Sequence, residues 1–169
     1  MLKIGYSLIT KFEALWVQVL RAKYGLCESM PDSIMRNSCS YIWKAVAKAW
    51  PLLRSNIIWS IGNRKTVRCW KGNWVHNMGP LNQYVPGHGN IVSETKINEM
   101  VSVNGDWNLD LFRLLLLEKV VKRITSILPL LEHAGPDMLS WSRTTTGVFS
   151  VKSAYFMLKE ETWTPKEEN

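Results

Sequence analysis

The chain has 169 residues, 46% of them hydrophobic and 21% charged, with a formal net charge of +7. That length suits one domain, or one domain with a trailing extension, and the composition excludes a disordered chain. Residues 1–75 carry 12 Lys and Arg against 3 Asp and Glu, whereas residues 129–169 carry 4 against 6. A basic N-terminal half fits a polyanion such as nucleic acid, and equally a solvated surface that keeps the protein dispersed.

Ile4 to Ile9 predicts a short helix, and Thr10-Lys11-Phe12-Glu13 has capping-box spacing for the helix that follows. Leu15, Trp16, Val19, Leu20 and Lys23 then recur at helical intervals, with Gly25 as the stop. Leu26 to Asn37 is punctuated by Pro31, Asp32, Ser33 and Asn37 and reads as a loop, after which Ser38 or Ser40 can cap the next helix. Ile42, Val46, Ala49, Trp50 and Leu53 form one buried stripe, with Lys44 and Lys48 facing away. Pro51 lacks an amide donor, so this helix is expected to end within about two residues of Trp50.

Ile57, Trp59 and Ile61 alternate with Ile58 and Ser60, and Val67 and Cys69 alternate with Thr66, Arg68 and Trp70. Gly62-Asn63-Arg64-Lys65 lies between the two runs and supplies two residues that tolerate positive φ. The pattern predicts a β-hairpin with a basic tip and outer face. His76 to Asn90 is rich in turn signals and reads as an extended surface loop. Thr95 to Val101 reads as a short helix with Ile97, Met100 and Val101 inward, and Asn104-Gly105-Asp106 as a turn. Apolar residues from Leu109 to Leu128 follow helical spacing, as one helix or two meeting near Leu117-Glu118. A second hairpin is predicted from Met138–Trp141 and Val148–Val151 around Arg143 to Gly147, with Ser150 or Ser153 capping a last helix through Lys159. The fold class is therefore α+β, mainly helical, with two short antiparallel hairpins that can share a sheet under the helices.

Three blocks carry a family resemblance. Trp59-Ser60-Ile61-Gly62-Asn63-Arg64-Lys65 followed by Val67-Arg68-Cys69-Trp70 and Trp74 resembles the segment after the polymerase core of plant LINE-type (non-LTR) retroelement reverse transcriptases. Leu15-Trp16-Val17-Gln18-Val19-Leu20-Arg21-Ala22-Lys23-Tyr24 agrees upstream, and Gly147-Val148-Phe149-Ser150-Val151-Lys152-Ser153-Ala154-Tyr155 downstream. The order and rough spacing hold from Gly5 to Trp163. The chain departs from the family at Arg64, where glycine is usual, at Gly72-Asn73, where Asp-Pro is usual, and at Pro51, within a helix usually unbroken. The resemblance implies a connector over residues 1–136 and the truncated start of a zinc-binding module over 137–169. It also implies that the parent protein copies element RNA into DNA at a nick, which would make a polymerase domain a partner.

The chemistry legible in the residues is sparse. Cys27, Cys39 and Cys69 with His76, His88 and His133 contain no close-spaced ligand pair, so no zinc or other cofactor is expected. The family's zinc ligands would follow the Gly147–Tyr155 block, beyond Asn169. Asp32, Asp106, Asp110 and Asp137 are scattered, Asp106 and Asp110 fit helix-start charge, and neither a polymerase tetrad nor a ribonuclease H carboxylate set is present. No catalytic residues are assigned and no enzyme activity is expected. Arg64, Lys65, Arg68 and Lys71 on the first hairpin are the candidate contacts for RNA or DNA phosphates, while Trp70 and Trp74 read as core. The charges that break Leu109 to Leu131, the lack of a secretory leader pattern and the three unpaired cysteines predict a chain outside membranes in a reducing nuclear or cytoplasmic compartment.

Overall fold

The computed structural model describes residues 1–86, 91–102, 104–128 and 135–163. In chain order these form α1 (Leu2–Thr10), α2 (Leu15–Lys23), α3 (Tyr41–Ser55) and β1 (Ile57–Ser60). Then come 3-10 turns at Leu81–Tyr84 and Ile97–Met100, α4 (Leu109–Leu115), α5 (Glu118–Thr125), β2 (Met138–Trp141) and α6 (Val151–Trp163). The class is α+β, mainly helical with one small sheet, as expected. The pairing of the strands is a correction: β1 and β2, each expected to open its own hairpin, pair antiparallel with each other. The chain clusters into two compact units, Met1–Ile57 with Ser140–Asn169, and Ile58–Leu139.

In the first unit α1 packs on α3, and Gly5 lets them close, because a Cβ there would meet Leu53 Cδ2 at 2.8 Å. The expected capping box is absent. Thr10 Oγ1 donates back to the Tyr6 carbonyl at the end of α1, and Ala14 is the N-cap of α2 with no side-chain cap. The stop at Gly25 is as read: its φ is +62°, its N–H bonds to the Ala22 carbonyl and that of Leu26 to Arg21, a Schellman motif. α2 buries Val17 but exposes Leu15 (75%), Trp16 (45%) and Val19 (56%).

α3 begins as predicted, with Ser40 Oγ accepting the Trp43 N–H. It then runs through Pro51 to Ser55 instead of ending near Trp50. The reason is tertiary. A mid-helix proline costs about 3 kcal/mol, but the next turn carries Leu53 onto the face already buried by Val46 and Trp50. Burying a leucine side chain returns about 1.5–3 kcal/mol, and the end is closed by Ser55 and Asn56 side chains donating to the Leu52 carbonyl. Ile42, assigned to the stripe from spacing, is exposed, and Trp43 takes its place in the core. The 26–37 segment is a loop without regular structure, pinned where Trp43 Nε1 donates to the Ile34 carbonyl and Trp50 Nε1 to that of Pro31.

Downstream in the same unit, Trp141 is fully buried against Tyr6 and Phe149, and its indole N–H donates to Ser153 Oγ. Ser150 caps α6 by accepting the Ser153 N–H, while Ser153 Oγ accepts from the Ser150 N–H. Residues 148–150 are not a strand. Of the expected second hairpin the Trp141 N–H still bonds to the Gly147 carbonyl, and Thr144 Oγ1 donates to the Val148 carbonyl.

The second unit has one core, in which Trp70, Trp74, Trp107 and Phe112 pack with Val67, Leu81, Ile97, Val121 and Ile124. Trp74 stacks on Trp107 with centroids 5.4 Å apart and donates its indole N–H to the Cys69 carbonyl. The 67–69 limb does not return along β1. It bonds instead to the 95–97 segment, through Cys69 N–H to Thr95 and Ile97 N–H to the Val67 carbonyl. Most of the 76–86 stretch is surface, yet Leu81 is fully buried and anchors it; the turn signals at 87–90 lie outside the described residues. Leu116 and Leu117 are extended, so the 109–128 stretch is two helices.

Candidate nucleic-acid interface

The loop between β1 and Val67 is shaped by an acid from far along the sequence. Asp137 Oδ1 accepts the N–H groups of Gly62 (2.8 Å) and Arg64 (2.9 Å), and Oδ2 accepts that of Thr66 (2.8 Å). Alternate amides thus converge on one carboxylate, the kind of backbone concavity that binds anions. Gly62 is required there for space, because a Cβ would clash with the carbonyl oxygens of Gly135 and Pro136. The anion position formed by this main chain is filled by the protein's own Asp137.

That loop changes the standing of the four cations read as phosphate contacts. Arg64, expected at an exposed tip, has φ 65° and is 8% exposed, with Nε and Nη1 buried away from any acceptor among the described residues. A side chain so enclosed cannot reach a phosphate outside the protein. Lys65 is exposed, and its N–H donates to Asn63 Oδ1. Arg68 and Lys71 converge on Glu94, at 3.5 and 3.2 Å, with Arg68 only 14% exposed along its side chain. The Lys71 hydrogen bond, then the nearby Arg68 charge, holds the Glu94 carboxyl below the usual carboxylate range. A phosphate at this pair must compete with a carboxylate already seated.

Much of the remaining basic charge of the N-terminal half is structural. Arg21 donates to the carbonyls of Leu8 and Glu28 and lies over the Phe12 ring, Arg36 donates to Tyr24 and Met35, and Arg54 pairs with Asp32. Lysines stay outside: Lys44 and Lys48 are exposed on α3, as their spacing predicts.

The helix α5 is expected from its apolar spacing, but its basic face is not among the candidate phosphate contacts. Its inward face is Val120, Val121 and Ile124, all buried. Lys119, Lys122 and Arg123 stand together on the solvent side at i, i+3 and i+4, and none pairs with a carboxylate among the described residues. The neighbouring acids are otherwise engaged, since Glu118 and Asp110 both lie against Arg113, at 3.6 and 3.9 Å. The signal was present as spacing, but it vanishes in a charge tally because residues 76–128 hold 5 basic and 5 acidic side chains.

Among the described residues no three His, Cys, Asp or Glu side chains gather where they could hold an ion. Cys69 is fully buried, and burial pushes its thiol up to about 12. Asp110 lies in the first turn of α4, where helix-start charge is favourable. Among the described residues no helix is long and apolar enough to cross a membrane.

Comparison with known proteins yields one informative likeness. No family model matches the chain, and no solved structure matches it. An Arabidopsis thaliana protein named as a ribonuclease H protein is 27% identical over 161 residues. The alignment covers 92% of this chain but 26% of that protein, so the chain spans about a quarter of its relative's length.

Proposed function

We propose that this chain is a non-catalytic, nucleic-acid-associated segment of a retroelement-type protein, corresponding to the connector after a LINE-type polymerase core and the first part of the zinc-binding module. The likeness to a protein with a ribonuclease H name, over nearly the whole of this chain, is the observation that carries the reading. Its partners are RNA or DNA, and the polymerase part of such a protein. The chain holds the nucleic acid without acting on it. The test is a titration of single-stranded RNA and duplex DNA at several salt concentrations. Binding at low salt that falls with a log–log slope of several units supports the reading, since each phosphate contact contributes about 0.7–0.9. No binding at low salt overturns it.

A second reading, a structural piece that docks on another domain, is favoured by one feature. α2 and its approach expose Phe12, Leu15, Trp16 and Val19 along one helical face. Exposed apolar stripes of this kind mark protein contacts more often than solvent surface. Failure of nucleic-acid binding together with stable association with a polymerase domain supports this alternative.

A further inference from the structure

Resting on the nucleic-acid reading above, we propose that the solvent face of α5, where Lys119, Lys122 and Arg123 stand side by side, is the surface of the second unit that contacts the phosphodiester backbone. The 64–71 cluster would contribute little.

Three observations converge on this helix. First, it is a rigid presenter: Val120, Val121 and Ile124 fix its inward face in the same core as Phe112 and Leu116. Side chains at i, i+3 and i+4 lie about 5–6 Å apart at their Cβ atoms, so three charges meet a polyanion over one turn. Second, the cations are uncompensated among the described residues, unlike Arg68 and Lys71, which share Glu94. Moving a phosphate to α5 therefore displaces no carboxylate.

Third, helix stability does not explain the set. Lys122 and Arg123 lie in the last turn, where cations favour the helix dipole, but Lys119 lies in the first turn, where a cation opposes it. The first-turn position of Lys119 is therefore not explained by the helix dipole. The carbonyls of Lys122 and Arg123, which would repel an anion, accept hydroxyl bonds from Thr125 and Ser126. A backbone-tracking contact with little sequence preference follows, because lysines and one arginine on a surface turn read charge, not base edges.

The experiment measures binding of a single-stranded RNA oligonucleotide by fluorescence anisotropy between about 50 and 200 mM salt. It compares the wild-type chain, the triple variant Lys119→Gln, Lys122→Gln, Arg123→Gln, and the double variant Arg68→Gln, Lys71→Gln. Glutamine keeps helix propensity near that of lysine and arginine, and circular dichroism checks the fold. Three lost contacts flatten the log–log slope by about 2, so wild type loses about 20-fold more affinity than the triple variant across that range. The double variant is expected to change the slope by well under half as much. A triple variant with the wild-type slope, while wild type binds, overturns the assignment to α5 and leaves the nucleic-acid reading standing. Wild type that does not bind at low salt overturns that reading itself.

A second measurement needs no variant. Acetylation of surface lysines followed by mass spectrometry should show Lys119 and Lys122 protected several-fold by RNA. Equal labelling with and without saturating RNA overturns the proposal. Protection by polyglutamate at matched charge, as strong as that by RNA, also overturns it, in favour of an acidic protein partner.

Discussion

Replacing Asp137 by alanine removes the acceptor that three main-chain amides share, so it tests directly what shapes the 62–66 loop. A hydrogen bond to a charged group contributes about 1.5–3 kcal/mol, and a buried donor left without its acceptor costs a similar amount. Thr66 is exposed and its amide rehydrates, whereas Gly62 and Arg64 are buried, so two of the three bonds count in full. Asp137→Ala is therefore expected to destabilise by about 3 kcal/mol. Asp137→Asn keeps an oxygen for Gly62 and Arg64 but turns an amide donor toward Thr66, for a loss of about 1 kcal/mol. At about 2–4 °C per kcal/mol for a chain of this size, the midpoints of thermal unfolding should fall roughly 6–12 °C for alanine and 2–4 °C for asparagine. Tryptophan fluorescence follows the transition, since Trp70, Trp74 and Trp107 all lie in the core beside this loop's chain. Equal losses for the two variants, or an alanine loss below about 1 kcal/mol, would refute the account of the loop as a carboxylate-held turn.

Pro51→Ala restores the amide donor inside α3 at an exposed position and should raise stability by about 1–2 kcal/mol, after allowance for the unfolded-state freedom that proline removes; denaturant titration reads it, and a loss of stability would mean the proline is favoured in its present geometry. Alkylation with iodoacetamide at pH 8 should label exposed Cys27 quickly and leave Cys69 unlabelled until the protein unfolds, because the Cys69 thiol is buried and pushed up to about 12; peptide mapping distinguishes them. Glu94→Gln should strengthen RNA binding and steepen its salt slope by about one contact's worth, by unmasking Lys71 and removing one partner of Arg68. The same release should follow acidification: the folded Glu94 carboxyl lies below its unfolded value, so its ion pairing is complete above the ordinary carboxylate range and is lost as pH falls through the folded value. An affinity that stays flat through that range argues against competition by Glu94.

Local rules in the sequence were enough for several elements. Gly25 closes α2, Ile97 and Met100 turn inward, and the caps of α3 and α6 fall on Ser40 and Ser150, one of the two serines expected at each place, because each depends on neighbours within a few residues. The burial of Trp70 and Trp74 was also legible, since large rings default to the core. What the sequence could not decide was pairing across distance. The period-two run at 57–61 is a strand over Ile57–Ser60, whereas the run at 66–70 makes only an isolated bridge at Arg68 before turning, and which segment each would bond was not encoded in either run. Asp137 lies 71 to 75 residues from the amides it holds, and its carboxylate opens the loop that the Gly-Asn pair was expected to close. The same distance effect inverted the basic cluster. Arg64 is drawn inside, Glu94 lies 26 residues from Arg68 and 23 from Lys71, and the basic face of α5 meets no carboxylate among the described residues. Pro51 shows the remaining limit: a local helix penalty is known from one residue, but the burial of Leu53 that offsets it exists only once α1 is packed against α3.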